Sequence, residues 1–483
     1  MRSQPQRRLV QALAGMSAMG LLTMVGCAST TVGTPGQTGN AMLLASAGAI
    51  PGPAAAAQVE APTWYGDVQP IVAENCVDCH QPQGKNMGGM VAPMSLMTYE
   101  DAKPWARVMA LRVESGEMPP WDAHPMHKGT FVGERYIDDA DRQKIVEWAE
   151  AGAPEGDPSQ ATVQFASAGE GYTANTSEWW IGEPDLVMAF GKPYVVPDEA
   201  RDINVGVNVV VPDSHTEPRW IKASEMRAGS KHVHHICGEP FGCIAPGWDP
   251  YVYPDGYAML LPVVDELRLG MHYNKQPGPG TGFEDVSRAA VVFYDEGEEI
   301  RHMVRRTALS VGNDFVIPAH HPEFSITHEL EFEEDSYILS FTPHMHYRGK
   351  RAKYELLHPD GRLELLLYVP EYDFEWQRMY VFEDPPIAPA GSKLLWTPTW
   401  DNSADNKYNP DPTRHVPYGA PTEDEMGNGW LDYTPVAPIS HIVGRDPIPQ
   451  DLLEKVTSDL AASAERESVP LIDGQRADPE HVH

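Results

Sequence analysis

The chain has 483 residues, and its 36 Lys and Arg against 69 Asp and Glu give a formal net charge of −33 with histidine neutral. Its length allows about three domains, and a hydrophobic fraction of 42% is typical of a globular protein rather than a disordered one. So acidic a chain argues against a nucleic-acid partner, because phosphate binding needs concentrated Lys and Arg. The 45 prolines and 41 glycines favour a turn-rich, β-rich architecture over long helices.

The N-terminus has the pattern of an export signal, with three arginines before an apolar stretch at residues 9–26 that lacks acidic residues. The stretch ends in the letters MVGC at Cys27, which resembles the lipobox of bacterial lipoproteins, whose cysteine is lipidated. We interpret residues 1–27 as a lipoprotein signal peptide, with an ordinary secretory signal as the alternative. Lipid on Cys27 predicts an exported bacterial protein anchored to a membrane, on the periplasmic face of the outer membrane. Residues 28–61, rich in Ala, Gly, Thr, Ser and Pro, are predicted to form a flexible tether.

Cys76, Cys79 and His80 form a CxxCH motif, the attachment signal for covalent haem c. Two close thiols can bind the haem vinyl groups, and the adjacent histidine can ligate the iron. A thiol redox pair or part of a zinc site are the alternatives, weakened because no second cysteine pair lies nearby in the sequence. We predict Met118 as the sixth ligand, because the two prolines after it stiffen its loop. The other candidate ligands are Met87, Met90, Met94, Met97, Met126, His124 and His127.

Helical periodicity surrounds this motif, at residues 99–116 and again at 138–151, where the pattern stops before Gly152. We predict a small all-α haem domain at 62–156, followed by a linker at 157–175. Methionine and histidine ligation favours electron transfer over oxygen binding. The apolar positions of the first helix are Trp105, Val108, Met109 and Val113.

From about residue 176, short β-branched and aromatic runs replace the helical period, and Asp360 with Gly361 is a hairpin signal between two of them. Short strands with frequent turns predict one or two β-sandwiches in this half. The predicted strands are residues 205–211, 289–294, 337–341, 354–357 and 363–369.

The same half holds three histidine groups: His232, His234 and His235; His272; and His344 with His346. Residues two apart on a strand share a face, so His344 and His346 can bind one metal ion. The same rule would pair His232 with His234, and it would point His234 and His235 in opposite directions unless a bulge redirects one. Spacing alone therefore does not decide which residues of the first group act together.

With Met426 in the sequence EDEMGN, the ordered histidines resemble the copper type II, ascorbate-dependent monooxygenases, the family of peptidylglycine α-hydroxylating monooxygenase and dopamine β-monooxygenase. The resemblance implies two consecutive jelly-roll domains, each holding one copper ion across a solvent-filled cleft. It implies two ligand sets, which are His234, His235 and His272 for one copper and His344, His346 and Met426 for the other.

Over residues 62–440 the chain also resembles bacterial proteins that fuse a CxxCH domain to this copper module. This implies a multidomain fold, a small all-α cytochrome c domain followed by all-β tandem jelly-roll sandwiches at 176–322 and 323–440, with a C-terminal tail at 441–483. Cys237 and Cys243 lie outside the implied ligand sets. In an oxidising compartment we predict that they form a disulfide, with a free pair or a copper-scavenging role as alternatives.

The resemblance implies an enzyme, a copper type II monooxygenase that uses O2 to hydroxylate a C–H bond of a small-molecule substrate. O2 and substrate would meet at the His344, His346 and Met426 copper, while the other copper delivers the second electron. We predict that an external electron donor reduces the fused haem. The haem then supplies electrons to the copper ions, as ascorbate does in the family. The alternative is a non-enzymatic electron-transfer or copper-binding envelope lipoprotein.

Overall fold

A computed structural model describes residues 61–77, 79–81, 92, 94–163, 179–245, 250–311, 315–419, 421–466, 471–472 and 475–476, all of one compact unit. The predicted signal peptide, Cys27, the predicted tether up to residue 60, the candidate ligands Met87 and Met90, and most of the predicted linker lie outside these residues. Among the described residues, no helix has the length and apolar character needed to cross a bilayer.

The N-terminal part of the described chain is helical. Its α-helices are α1 (Gln69–Asn75), α2 (Tyr99–Ala102), α3 (Ala106–Glu114) and α4 (Asp139–Glu150). It also has a π-helical turn at Trp64–Val68 and 3₁₀ turns at Lys103–Trp105, Pro125–His127 and Pro158–Gln160.

Side-chain caps and one proline set the limits of these helices. Thr98 caps α2 by accepting from the backbone N–H of Asp101, and Asp138 caps α4 in the same way. The helix predicted at 99–116 is divided into α2 and α3 by the 3₁₀ turn that contains Pro104. The ends of the domain are tied together, because the Trp64 N–H donates to the carbonyl of Pro154 over 2.9 Å.

The next part of the chain is β-rich, and its strands are β1 (Leu186–Phe190), β2 (Tyr194–Val196), β3 (Asp202–Val210), β4 (Arg219–Arg227), β5 (Val233–Gly238), β6 (Gly242–Ile244), β7 (Tyr251–Val252), β8 (Tyr257–Leu261), β9 (Glu266–Asn274), β10 (Phe283–Asp285), β11 (Arg288–Phe293), β12 (Glu299–Ile300) and β13 (His302–Met303). Within the described residues, most of them form one sheet in the order β13-β8-β4-β11-β1-β3-β9-β5-β6. The sheet is antiparallel except where β13 meets β8. This unbroken path differs from the two separate sheets of a sandwich, so the tandem jelly-roll arrangement stays a prediction.

The strands that follow are β14 (Arg305–Ser310), β15 (Val316–Ile317), β16 (Phe324–Ser325), β17 (His328–Glu331), β18 (Ser336–Met345), β19 (Gly349–Leu357), β20 (Leu363–Val369), β21 (Tyr380–Val381), β22 (Ile387–Ala388), β23 (Lys393–Trp400), β24 (Val416–Pro417) and β25 (Gly427–Pro435). Most of them form two five-stranded antiparallel sheets, one around β18 and β25 and the other around β19 and β23. Aromatic side chains fill the space between these sheets: Phe341 stacks on Tyr354 at 4.0 Å between ring centroids, and Tyr354 packs on Trp396.

Two predicted domain boundaries do not match the strand pairing. The division predicted at residue 322 comes too late, because β14 already pairs with β25 along its length. The change of sheet therefore falls between β13 and β14. The segment predicted as a tail from residue 441 also returns to the fold. It forms β26 (His441–Ile442), which pairs with β12, then α5 (Gln450–Arg466), β27 (Leu471–Ile472) and β28 (Gln475–Arg476), and β27 pairs with β3.

The helical part packs directly against the second group of strands. Phe131 is 2% exposed and lies in the same apolar core as β18 and β19. Its ring centroid is 4.9 Å from that of Phe382, and the neighbouring Val132 N–H donates to the carbonyl of Val381 over 2.8 Å. The two parts of the chain therefore share a core and a backbone contact.

Candidate functional site

A bulge in β5 positions the first pair of histidines. The pairing of β5 with β9 runs from Val233 opposite Tyr273 to His235 opposite His272, so His234 is an extra residue between them. The bulge brings the rings of His234 and His235 together, and their Nδ1 atoms lie 3.2 Å apart. The ring of His232 packs on Phe283 instead, so the structure does not add it to this group.

His272 completes a cluster of three imidazoles. Its Nδ1 atom lies 3.4 Å from that of His235, and one nitrogen from each of the three rings falls within 4.8 Å of the others. Nitrogen ligands about 2.0 Å from a tetrahedral metal ion lie roughly 3.3 Å from one another. The spacing of His234, His235 and His272 therefore fits one metal ion.

Asp202, on the strand beside β9, orients the third histidine. Its carboxylate lies 2.5 Å from Nε2 of His272. Because an ionised carboxylate only accepts, Nε2 of His272 donates this hydrogen bond, which leaves Nδ1 on the side of the cluster, where a neutral imidazole would offer its lone pair to a metal ion. Asp202 also accepts from the hydroxyl of Thr422 over 2.7 Å. Burial acts to raise the pKa of Asp202, but hydrogen bonds from His272 and Thr422 outweigh it and hold the pKa well below its usual range.

The second pair of histidines lies at the end of β18. His344 and His346 share a face, with ring centroids 5.3 Å apart, while Met345 between them points into the core. Nδ1 of His344 donates to the side-chain oxygen of Gln377, whose own amide nitrogen donates to a backbone carbonyl and so fixes its orientation. Nδ1 of His346 donates to the carbonyl of Asp424 over 3.2 Å. Both rings keep Nε2 available for a metal.

Met426 lies at the same end of the sheet as this pair. The pairing of β18 with β25 extends to Met345 opposite Gly427. The next residues along the two strands are His346 and Met426, which therefore lie beside each other. The Met426 side chain is half-buried, and its sulfur lies 3.7 Å from the amide nitrogen of Asn428. Imidazole with a thioether is a donor set suited to copper, since the soft sulfur favours the cuprous ion.

The two histidine sets touch each other. The ring centroids of His235 and His344 are 5.7 Å apart, which differs from the open cleft that the resemblance implies. Burial is the first cause of a lowered pKa in both sets: it lowers the pKa of His344 to about 4, and with the neighbouring imidazoles it holds the pKa of His235 and His346 well below 6.5. These rings are therefore neutral near pH 7, the form that binds metals.

Cys237 and Cys243 face each other across the β5–β6 hairpin and are joined by a disulfide. The bond lies on the strand that carries His234 and His235. A disulfide sulfur is not a thiolate, so this pair is not available as a metal ligand in the described structure.

A cavity of about 860 Å³ lies in the helical part of the chain. Cys76, Cys79, His80 and Met118 all line it, and Nδ1 of His80 donates to the carbonyl of Met94 over 3.3 Å. That bond leaves Nε2 of His80 free to act as a ligand. The second half of the chain also contributes to the wall, through Asp373, Trp376, Lys407 and Tyr408.

Residues 67–150 match the cytochrome c family. The chain contains a c-type cytochrome domain. The match lies within the predicted haem domain and confirms that interpretation of CxxCH, together with haem c as the cofactor. The β-rich remainder of the chain lies outside the matched residues.

The other comparisons add no functional information. None of the curated proteins matches the sequence. Among solved structures, the chain is similar to the major capsid protein P2 of bacteriophage PM2, at 9% identity over 53% of this chain and 98% of that one, with a TM-score of 0.21. It is also similar to the T13 viral particle of IBDV, at 8% identity over 52% and 68% of the two chains, with a TM-score of 0.17.

The residues of the cytochrome domain fit haem c. Burial, followed by the neighbouring Cys79, raises the pKa of the Cys76 thiol to about 12, whereas redox-active CxxC pairs have a lowered pKa. Trp105 and Val108 are 36% and 40% exposed because they line the cavity, where an apolar macrocycle would cover them. The cavity can therefore hold haem between His80 and a ligand on its wall.

Among the described candidates for the sixth ligand, Met118 and Met94 line the cavity. Met94 binds His80 through its backbone, which places it beside the proximal ligand, so Met118 stays our predicted sixth ligand. Met97 is in the core of the domain. His124 and His127 hydrogen-bond to the backbone of Tyr368 in the β-rich half. Met126 is 62% exposed and does not line the cavity.

Sequence reasoning missed three residues that contact the histidines: Asp202, Glu375 and Gln377. Glu375 approaches Nε2 of His234 at 3.6 Å, and Gln377 and Asp202 fix the rings of His344 and His272. A carboxylate or amide far from its histidine in sequence carries no local signal. The resemblance to the fusion proteins covers residues 62–440 and so includes Glu375 and Gln377, but it assigns them no role.

Proposed function

We propose that the protein is a copper-dependent monooxygenase that hydroxylates a C–H bond of a small molecule with O2 and receives its electrons through the cytochrome domain. The observation that carries this proposal is the convergence of His234, His235 and His272 with His344 and His346 in one largely buried cluster. Copper bound by these rings and Met426 would supply O2 activation and storage of the second electron. Hydroxylation places one oxygen atom in the product and reduces the other to water, which consumes two electrons and two protons.

The surrounding side chains support a redox metal centre. Asp202 and Gln377 each fix one histidine tautomer, and such partners strongly affect metal affinity. The low pKa values of the buried rings keep their nitrogens unprotonated at neutral pH. The protein itself therefore supplies ordered, neutral ligands and excludes bulk water from most of the cluster.

The place of the protein in the cell is also part of the proposal. The signal-like N-terminus and Cys27 support an exported protein held on the bacterial envelope by a lipid anchor. There an external donor would reduce the haem, which occupies the place that ascorbate has in the related enzymes.

One observation favours a second candidate, a copper-binding electron-transfer protein without oxygenase activity. The 5.7 Å separation of the His235 and His344 rings leaves little room for a substrate between the two histidine sets. Under this alternative the copper centre accepts electrons from the haem and passes them to a partner.

Metal content and reoxidation of the haem test the proposal. Haem-matured protein is loaded with copper(II), analysed for metal content and by copper EPR, then reduced and exposed to O2. We expect two copper ions per chain and a haem that reoxidises faster than in the double variant His344→Ala, Met426→Ala. His415→Ala removes an exposed histidine and is the control. Equal reoxidation rates in parent and double variant would contradict the proposed oxygen chemistry, and copper binding with no O2 uptake across candidate substrates would favour the second candidate.

A further inference from the structure

One short segment contacts both the haem cavity and the histidine cluster. Residues 372–378, here called the bridging segment, connect β20 to β21 and include a 3₁₀ turn at Phe374–Trp376. Asp373 and Trp376 line the haem cavity of the cytochrome domain. The intervening Phe374 faces the other way and stacks on His234, with 4.5 Å between the ring centroids.

The bridging segment reaches both histidine sets. Phe374 stacks on His234 of the first set and lies 6.0 Å from His346 of the second, measured between ring centroids. The Gln377 side chain accepts from Nδ1 of His344, and it is buried. Five consecutive residues therefore extend from the wall of the haem cavity to imidazoles of both sets.

Both ends of the segment are anchored. The Tyr372 hydroxyl donates to the carbonyl of Met345 over 2.8 Å and accepts from its N–H over 3.0 Å, on the strand between the two HxH histidines. At the other end, the Arg378 guanidinium donates to the carbonyl of Pro120 over 2.9 Å, in the loop that carries Met118. The segment is thus attached to β18, which carries His344, and to the loop that carries Met118.

We infer that the bridging segment is the route by which electrons pass from the haem to the histidine cluster. Trp376 is its contact with the haem cavity, and Phe374 is its contact with the histidines. This inference rests on the proposed function, because it requires haem in the cavity and copper at the histidines. In each transfer, one electron leaves the ferrous haem and reduces one cupric ion. Packed and covalently linked atoms transmit electrons better than a water-filled gap of the same length. Trp376 on the cavity wall and Phe374 on the ring of His234 belong to one 3₁₀ turn, so bonded atoms connect the cavity to that imidazole.

The test measures electron transfer within the full chain in the absence of O2. Protein that holds haem and copper(II) receives one electron at the haem from a flash-excited ruthenium complex, and haem oxidation is followed by its absorbance. In parallel, loss of the copper(II) EPR signal is measured. We expect copper-dependent haem oxidation in the parent, and a severalfold lower rate in Trp376→Leu and in Phe374→Leu, with unchanged haem spectrum and copper content.

Two further variants make the result specific. Trp376→Phe keeps an aromatic ring at the cavity and should retain most of the parent rate. Trp430→Leu alters another half-buried tryptophan of the β-rich half that does not line the haem cavity, and its rate should equal that of the parent. If the parent shows no copper-dependent haem oxidation, the proposed function fails. If the parent shows it and Trp376→Leu and Phe374→Leu are as fast, the inferred route is wrong while the proposed function stands.

Discussion

At the scale of single residues, Asp202 determines which ring nitrogen of His272 faces the other two histidines of the first set. Its carboxylate holds the proton on Nε2 of His272 and leaves Nδ1 facing His234 and His235. Asp202→Asn removes the charge that supports this imidazole. We expect copper affinity to fall about 10- to 100-fold, as measured by competition with a chelator. Asp213→Asn changes an exposed carboxylate and is the control. Unchanged affinity in Asp202→Asn would show that the carboxylate does not support a metal ligand.

The sequence predicts some residues of the site and not others, for reasons of geometry. Alternation on a strand is enough to bring His344 and His346 to one face, and the structure has them there. Alternation separates His234 from His235, and only the bulge in β5 brings them together. Asp202 is one of many acidic residues, and its contact with His272 arises from the pairing of β3 with β9, which no local pattern reveals.

At the scale of elements, the β5–β6 hairpin supports the first histidine set. The disulfide of Cys237 and Cys243 closes a short loop directly after His234 and His235. Because a cross-link lowers the entropy of the unfolded chain, the double variant Cys237→Ser, Cys243→Ser should lose about 2 kcal/mol of stability. We also expect weaker copper binding, because the bulged strand loses its constraint.

Urea denaturation and copper titration of this double variant check the prediction. Reduction of the disulfide in the parent, whose sequence is unchanged, should reproduce the loss of stability and the loss of copper affinity. A double variant as stable as the parent, with the same copper affinity, would show that the hairpin holds its shape without the bond.

The elements also show where sequence patterns are informative. The run predicted at 363–369 is the strand β20, and Gly361 before it has the positive φ of 87° that a tight turn requires. The predicted helix at 99–116 is divided at Pro104. Its apolar residues Trp105 and Val108 face the haem cavity instead of the protein core, because a cofactor-binding helix buries part of its apolar surface against the cofactor.

At the scale of the whole molecule, the cytochrome domain and the second group of strands form one structure. The loop after Met118 continues into the core of the β-rich half, where Trp121 packs edge-on against Tyr380 and Phe131 against Phe382. The sequence of the loop resembles an ordinary polar connection with scattered aromatic residues, so its burial was not predictable from local composition. The same contact brings the wall of the haem cavity to the bridging segment, which makes the relative position of the two parts a condition for electron transfer.

Phe131→Ala tests whether this shared core couples the two parts. Removal of this buried phenylalanine side chain should lower the free energy of unfolding by about 3–5 kcal/mol. In the parent we expect the Soret circular dichroism of the haem and the tryptophan fluorescence to change at one temperature, because both parts unfold together. In Phe131→Ala the Soret signal of the haem should change at a lower temperature than the tryptophan fluorescence. Phe324→Ala alters a half-buried ring within the second group of strands, so it should lower both transitions equally. Separate transitions in the parent would mean that the contact is too weak to fix the haem against the bridging segment, and the electron route inferred above would then lack its structural basis.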